Sequence, residues 1–467
     1  MPERYHIHTV PTPARFRRVG KFGTADWRED CSRCKNCVKV RCVYDLYRSE
    51  AAYNRDAAAP VEPIFECKSC LSCVQGCTKG LLSLTLNPAF LALGDTYWRP
   101  DIIATTWDQA ESGRIPVSGA GYRGPFSGPG FDSMWTDMSE IVRPTRDGIH
   151  GREYISTSVD IGSKPMRLDF DATGALKNGA SLLEVPMPGI LDAAPWGDPS
   201  EAIVQARVRA AAALRTLAVV PARYLPAVAV EQRRCVVPLF GLPGTRSTAN
   251  MSPAEANLAQ VRMAEILDGP NTFSTANELW GHDRRLLVSV RLPLRPDAAQ
   301  RAQELYEGGI SIIHLCADHQ GRELGAERPR FIKDVLREIH GALVKHGVRD
   351  EVTLIAGGGI ALAEHMAKAV ICGADLVGVD IPLLVALGCR VCAGGHASGC
   401  PARIQEEEVA YAAQRMVNLM GAWHSQLIEV LGAMGIREVR RLRGEVGRAM
   451  FLEDLERDAF KELVRTA

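Results

Sequence analysis

From residue 286 onward, short continuous apolar runs alternate with stretches whose apolar residues recur at helical spacing. Residues 286–292 (LLVSVRL), 310–316 (ISIIHLC), 352–356 and 376–379 read as buried strands. Between them, 297–307, 329–346 and 361–372 read as helices. The second of these opens with Pro in its first turn and repeats Phe331, Val335, Ile339 and Leu343 on one face. Strands without polar alternation, each followed by a helix, predict a parallel sheet covered on both faces. An open doubly wound sheet and a closed (β/α)8 barrel share this signature. The barrel needs more strands, and residues 181–238 must supply them. Residues 406–434 form a further long helical pattern. The segment 118–130 (SGAGYRGPFSGPG) is too rich in Gly and Pro for a helix or central strand. It reads either as a linker or as a packed surface loop, able to cover a cofactor and held by Tyr122, Arg123 and Phe126.

Composition narrows the function classes. The chain has 467 residues, 46% of them hydrophobic, and 55 basic side chains balance 55 acidic ones. That is enough apolar material for a real core and excludes a strongly basic nucleic-acid binder as the default. Aromatics at 6% argue against base-stacking platforms. The most apolar stretch, 202–230, is broken by Arg207, Arg209, Arg215, Arg223, Pro221 and Pro226, so no membrane span is expected. The opening MPERYHIHTV has no signal-peptide pattern, and a cytoplasmic location is expected.

Eight of the 14 cysteines fall between Cys31 and Cys77. Cys31, Cys34, Cys37 and Cys42 are spaced C-x2-C-x2-C-x4-C. Cys67, Cys70, Cys73 and Cys77 are spaced C-x2-C-x2-C-x3-C. Three thiolates at consecutive x2 spacings turn toward one cubane face, and the fourth usually ligates the neighbouring cluster. This predicts two [4Fe–4S] clusters, one on Cys31, Cys34, Cys37 and Cys77, the other on Cys67, Cys70, Cys73 and Cys42. Paired four-Cys zinc sites are the alternative, but those bring CxxC pairs from separate arms. Val43 and Thr78 stand where Pro usually follows the fourth Cys. Two adjacent clusters pass single electrons.

Gly357-Gly358-Gly359 follows a strand and opens a helix, and the next strand ends at Gly378. In (β/α)8 enzymes a phosphate often sits between the loops after the last two strands, so these glycines are the expected phosphate contacts. Asp380 opposes that reading unless it turns away or pairs with a base. Cys389, Cys392 and Cys400, with His396 between them, suggest a third iron–sulfur centre, [3Fe–4S] or [4Fe–4S]. Cys235, Cys316 and Cys372 are isolated and are expected to be buried small hydrophobes.

The segment from AGGGI at 356–360 through GADLVGVDIPLLVALGC to the cysteine-rich loop ending in Cys400-Pro401 resembles the FMN-binding barrel of glutamate synthase. VSVRLP and ISIIHLCADHQG are similar to its earlier strands, and the N-terminal cysteine motifs resemble those of the archaeal-type proteins. The resemblance implies a ferredoxin-like two-cluster domain (1–95), a loop-rich connection (96–177), an FMN-binding barrel with its cysteine-rich loop (178–404) and a helical C-terminal segment (405–467). It implies FMN on Gly357, Gly358, Gly359 and Gly378. Arg291 stands where the family carries a Lys near flavin and substrate, and is the expected catalytic residue. Gln320-Gly321-Arg322-Glu323 replaces the family's GGTG, Gly395 replaces one cluster cysteine, and no N-terminal Cys nucleophile is present. The implied activity is reductive amination of a 2-oxo acid with electrons from a donor protein or subunit. A separate amidotransferase subunit and an oligomer or larger complex are further expected partners. The alternatives are an FMN and iron–sulfur electron-transfer subunit without synthase activity, and a structural or regulatory cluster protein without flavin.

Overall fold

The computed structural model describes residues 5–16, 19–27, 30–32, 34, 40–43, 70–115, 127–136, 154–164, 169–174, 182–198, 200–241, 251–392 and 400–464. Cys37, Cys67, Gly395, His396, Tyr122, Arg123 and Phe126 lie outside them.

Eight parallel strands close into a barrel in simple sequential order. They are β1 (Gly189–Leu191), β2 (Ala218–Pro221), β3 (Val236–Phe240), β4 (Met263–Leu267), β5 (Leu287–Pro293), β6 (Ile312–Cys316), β7 (Thr353–Gly357) and β8 (Leu376–Val379). The choice between open sheet and barrel is settled by β8 pairing with β1, Val379 opposite Leu191. Residues 181–238 supply three of the missing strands. The fourth, β4, lies beyond them, so the expected stretch was too short. Its sequence, MAEIL, carries a charged residue inside an apolar run, which hides it from a hydrophobicity reading.

The flanking helices are α1 (Glu201–Leu214), α2 (Thr272–His282), α3 (Ala298–Glu307), α4 (Ile332–Lys345), α5 (Ala363–Ile371), the short α6 (Ile381–Ala386) and α7 (Val409–Ala433). In α4, Ile332, Val335, Leu336, Ile339 and Leu343 are buried on one face. At roughly 1.5–3 kcal/mol per fully buried side chain, that stripe holds the helix to the barrel. The long α7 packs against α1 and α5. Asn418 on α7 pins the N-terminal arm, accepting from Val10 N–H at 3.1 Å and donating to Val10 C=O at 2.7 Å. Residues 1–12 therefore belong to the barrel unit, with 105–389 and 396–467.

A second compact unit comprises residues 13–104 and 390–395. In it, strands Phe22–Trp27 and Leu82–Leu86 pair antiparallel, with a register shift between Phe22 and Ala25. Both N-terminal cysteine runs lie between these strands in sequence.

Among the described residues no helix is long and apolar enough to cross a membrane. The 202–230 stretch resolves into α1, closed by Arg215 in the left-handed region, and β2.

Candidate active site at the barrel mouth

Charged residues inside a barrel must be paired, because an isolated buried charge is strongly disfavoured. Four such residues meet near the C-terminal ends of the strands. Glu265 projects from β4, Arg291 from β5, His314 from β6, and Asp192 follows β1. Arg291 Nε donates to Glu265 Oε1 at 2.5 Å, and its Nη2 donates to Asp192 Oδ1 at 2.6 Å. His314 Nδ1 lies 3.0 Å from Glu265 Oε2, and Ser289 Oγ donates to the same oxygen at 3.3 Å. Glu265 and His314 are wholly inaccessible, while 13% of the Arg291 side chain is exposed.

The titration of this layer follows from its pairing. Burial alone would raise the Glu265 acid; Arg291 and His314 outweigh it and hold it at about 2. Burial alone would lower His314; interactions with Cys316 and the Glu265 carboxylate override it and lift the ring well above the ordinary imidazole value. Arg291, despite burial, is held charged by Asp192, Cys316 and Glu265. Asp380 goes the other way. Burial and the nearby Asp192 charge raise its acid to about 7 against the Ile381 N–H and Arg291.

Arg291, the expected catalytic residue, lies at the centre of this layer. The glycines also meet steric demands of the barrel itself. A Cβ on Gly357 would stand 2.7 Å from His314 Nε2, and one on Gly378 would stand 2.9 Å from it. These two positions are side-chain-free because the imidazole lies across them. Gly358 and Gly359 have φ of +88° and +71° and pack under the β6 loop. A Cβ on Gly358 would meet the Asp318 carbonyl at 2.7 Å, and one on Gly359 would meet Gly321 Cα at 2.7 Å. In that loop the Asp318 carboxylate collects the N–H groups of Gln320 and Arg322, each at 2.8 Å. Asp380 Oδ1 accepts the Ile381 N–H at 2.6 Å and caps α6.

A flavin nucleotide needs a donor for its ring edge and room for a phosphate. The first is present: His314 Nε2 is buried without a hydrogen-bond partner, beside the Arg291 guanidinium. Asp380 occupies the N-terminus of α6 with its carboxyl group. It is compatible with a bound phosphate in its protonated form.

Sequence reasoning missed Glu265, Asp192 and His314. The signal was there: a lone Glu in MAEIL and a lone His in ISIIHLC each demand a buried partner. Cys372 is buried as expected. Cys235 and Cys316 are not; both are partly exposed, because Cys235 stands just before β3 enters the core and Cys316 at the end of β6 where the chain leaves it.

Of the N-terminal cysteines, Cys42 is buried, Cys31, Cys73 and Cys77 are half-buried, and Cys34 and Cys70 are exposed. Cys77 Sγ accepts the Leu81 N–H at 3.3 Å. Backbone donors at Leu81 and Lys79 lower its thiol pKa, favouring the thiolate form. This donor set fits an iron–sulfur cluster. In the third group Cys389 is buried, Cys400 half-buried and Cys392 exposed.

One more cluster of ligand-type side chains lies outside the barrel mouth, at Asp132, Glu364 and His365. Ala361 N–H donates to His365 Nδ1, so Nε2 carries the proton it gives to Asp132 Oδ1 at 3.0 Å. The Lys368 ammonium binds Glu364 at 2.9 Å. With its donors and charge already met, this is a structural ion-pair group.

Known proteins resemble the chain over most of its length. The family model for the conserved region in glutamate synthase matches residues 332–437, from α4 to just past α7. An archaeal-type glutamate synthase [NADPH] of Dehalococcoides mccartyi is 23% identical over 91% of this chain and 94% of that protein. The archaeal glutamate synthase [NADPH] of Archaeoglobus fulgidus is 24% identical over 97% of each. Among solved structures, a lactate oxidase of Pediococcus acidilactici aligns with a TM-score of 0.41 and 16% identity, over 73% of this chain and 92% of that one. The resemblance read from the cysteine motifs and residues 288–401 thus extends to nearly the whole chain.

Proposed function

We propose that this glutamate synthase-like chain is an oxidoreductase whose N-terminal iron–sulfur clusters feed electrons to FMN at the mouth of the barrel, for reductive amination of a 2-oxo acid. The observation that carries the reading is the buried layer of Arg291, Glu265, His314 and Asp192, with Arg291 at the position where the resembling family keeps a Lys. When bound, FMN supplies hydride transfer to a substrate imine. This chain's residues would do the rest. Arg291 would present a fixed positive charge to the flavin, and His314 Nε2 would offer it one unmet hydrogen bond. Glu265 and Asp192 hold both groups in place. Gly357 and Gly378 leave the imidazole room, and the Cys31–Cys77 region with the third cysteine group carries the electrons in. The donor would be a separate protein or subunit, and ammonia would come from solution or from an amidotransferase partner.

A second reading has its own support. The Arg291 guanidinium already answers two carboxylates, through Nε and Nη2, so much of its charge is spent before a substrate acid could meet it. That favours an FMN and iron–sulfur electron-transfer subunit without synthase activity. Anaerobically purified protein separates the two. Flavin together with glutamate formed from 2-oxoglutarate and ammonia, under a reduced viologen donor, supports the first. Flavin that is reduced by the donor without glutamate supports the second. Protein that takes up no FMN overturns both.

A further inference from the structure

The opposite face of the barrel carries a cavity that the flavin chemistry does not use. Arg234 comes just before β3, Arg262 just before β4 and Leu286 just before β5, so all three stand at the N-terminal ends of parallel strands. This architecture keeps its catalytic chemistry at the other face. His282, the last residue of α2, joins them. With Leu258, Gln260 and Val261 they line a cavity of about 610 Å³, within the usual size range of a small-molecule site.

The wall of this cavity is held in place, and its charge is unbalanced. Buried Arg233 donates through Nη1 to the Asn257 carbonyl at 3.2 Å, and the Leu287 N–H donates to the Arg262 carbonyl at 3.1 Å, so the loop before β4 is anchored on both sides. Gln260 is held in the left-handed region at φ +69°, a conformation that costs a residue with a side chain. Its Oε1 accepts from Arg234 Nε at 3.0 Å. Among the described residues, neither the Nη atoms of Arg234 nor any nitrogen of the Arg262 guanidinium has a hydrogen-bond or ion-pair partner. The two cations lie close together, because both act on the Cys235 thiol. Asp283, the carboxylate on the lining, is already engaged: it accepts the Arg285 N–H at 2.8 Å and faces the Arg285 side chain. Two like charges that converge on a concave surface without a counter-charge make a field that draws in anions.

We propose that this cavity binds a small phosphorylated molecule of the nucleoside monophosphate class, with the phosphate between Arg234 and Arg262 and the apolar part against Leu258 and Val261. A phosphate dianion has three oxygens to share and matches the charge of two guanidinium groups, whereas a single carboxylate satisfies one. His282 adds a further donor on the lining. Leu258 and Val261 are half-buried and give the rest of the ligand an apolar surface. Binding here is non-covalent, transfers no electrons and does not depend on flavin at the mouth.

Cys235 is the reporter for the test, because it is partly exposed and lies beside both guanidinium groups. The anaerobically purified full chain is treated with iodoacetamide, and the labelling rate of each cysteine is followed by mass spectrometry. AMP is expected to slow labelling of Cys235 and to leave Cys316, at the barrel mouth, unchanged. Inorganic phosphate is expected to protect Cys235 at higher concentration, and succinate is expected to give no protection. Arg262→Gln alters an exposed side chain and is expected to raise the AMP concentration for half-protection about tenfold, the size of one charge-assisted contact. Cys235 labelling that neither AMP nor phosphate slows overturns the proposal. Protection by succinate equal to that by AMP overturns it, as does undiminished protection in Arg262→Gln. Slowing of Cys316 alone would put AMP at the mouth and overturn it too.

Discussion

Arg291 on β5 and Asp192 after β1 are joined across the barrel by a 2.6 Å hydrogen bond between Nη2 and Oδ1. These strands are not neighbours in the sheet, so the contact spans the lumen rather than running along its wall. Through Nε the same guanidinium also holds Glu265 of β4. One planar cation therefore ties three strands together. A Lys at this position, as in the resembling family, is a point charge and could not serve two carboxylates with the same fixed geometry.

Removing this cation leaves two buried carboxylates without their partner. Breaking a buried pair in this way typically costs about 3–5 kcal/mol. Arg291→Gln is expected to fall in or above that range in urea unfolding followed by circular dichroism. Arg291→Lys is expected to lose less, because one ammonium can still meet one carboxylate. Equal stability of Arg291→Gln and wild type would mean that the network is not formed in solution.

Asp380 behaves in the opposite sense. Its acid is raised from the ordinary 3.8 to about 7 by burial and by Asp192. Between those values the unfolded chain carries the charge while the folded one keeps the proton. Its contribution to stability is present in full below the unfolded value and is lost as pH rises through about 7. Asp380→Asn retains an oxygen for the Ile381 N–H but has no proton to lose. The variant is expected to gain on the order of a few kcal/mol at pH 8, with a smaller gain at pH 5.5. If FMN phosphate lies beside this residue, wild-type FMN uptake is expected to weaken from pH 6 to pH 8, and uptake by Asp380→Asn is expected to stay level. A stability gain that is the same at both pH values would remove Asp380 as the titrating group.

The barrel was legible because its β5–β8 half is written in strands such as LLVSVRL and TLIAG, whose apolar runs have no second meaning in a chain of this composition. The β1–β4 half was not. Gly189–Leu191 is too short for periodicity, β3 contains Pro238, and β4 contains Glu265. The site followed the same division. Arg291 could be named from its place in VSVRLP, but its partners come from β1, β4 and β6, and no local pattern tells which distant strands will face each other. Gly357 and Gly378 stand out in the sequence as expected phosphate contacts, and in the structure a Cβ on either would collide with the His314 ring. What fills the space, an imidazole from β6, is a fact of barrel closure.

Gly358 and Gly347 together separate two effects of a glycine. Both have positive φ, +88° and +71°. At Gly347 an added Cβ meets nothing within 4 Å, whereas at Gly358 it meets the carbonyls of Asp318 and Ala317 at 2.7 and 2.9 Å. Gly347→Ala is expected to cost about 1–2 kcal/mol for the left-handed backbone alone. Gly358→Ala adds a clash with main-chain atoms that cannot rotate away, and is expected to cost clearly more in the same unfolding measurement. Equal losses would mean that the β6 loop does not lie against this turn.

The cysteine runs set the expected metal content. The eleven cysteines in three groups should bring two four-iron clusters and a third centre of three or four irons, measured as iron and acid-labile sulfide in anaerobically purified protein. Zinc in their place would end the electron-transfer reading. Cross-ligation gives a sharper test. If the fourth cysteine of each run serves the other cluster, Cys42→Ala removes a ligand from the cluster built on Cys67, Cys70 and Cys73. The cluster on Cys31, Cys34 and Cys37 keeps its fourth ligand, Cys77. The Cys77 sulfur suits that role, because its Leu81 N–H contact at 3.3 Å stabilises the thiolate. A hydrogen bond to a cluster sulfur also helps set the potential. In EPR of the reduced protein, Cys42→Ala is therefore expected to lose or convert one cluster signal while the other persists. Replacing Leu81 by Pro, which abolishes the N–H, is expected to shift the potential of the surviving one. If that substitution instead moves the potential of the cluster Cys42→Ala destroys, Cys42 and Cys77 share a cluster and the pairing is wrong.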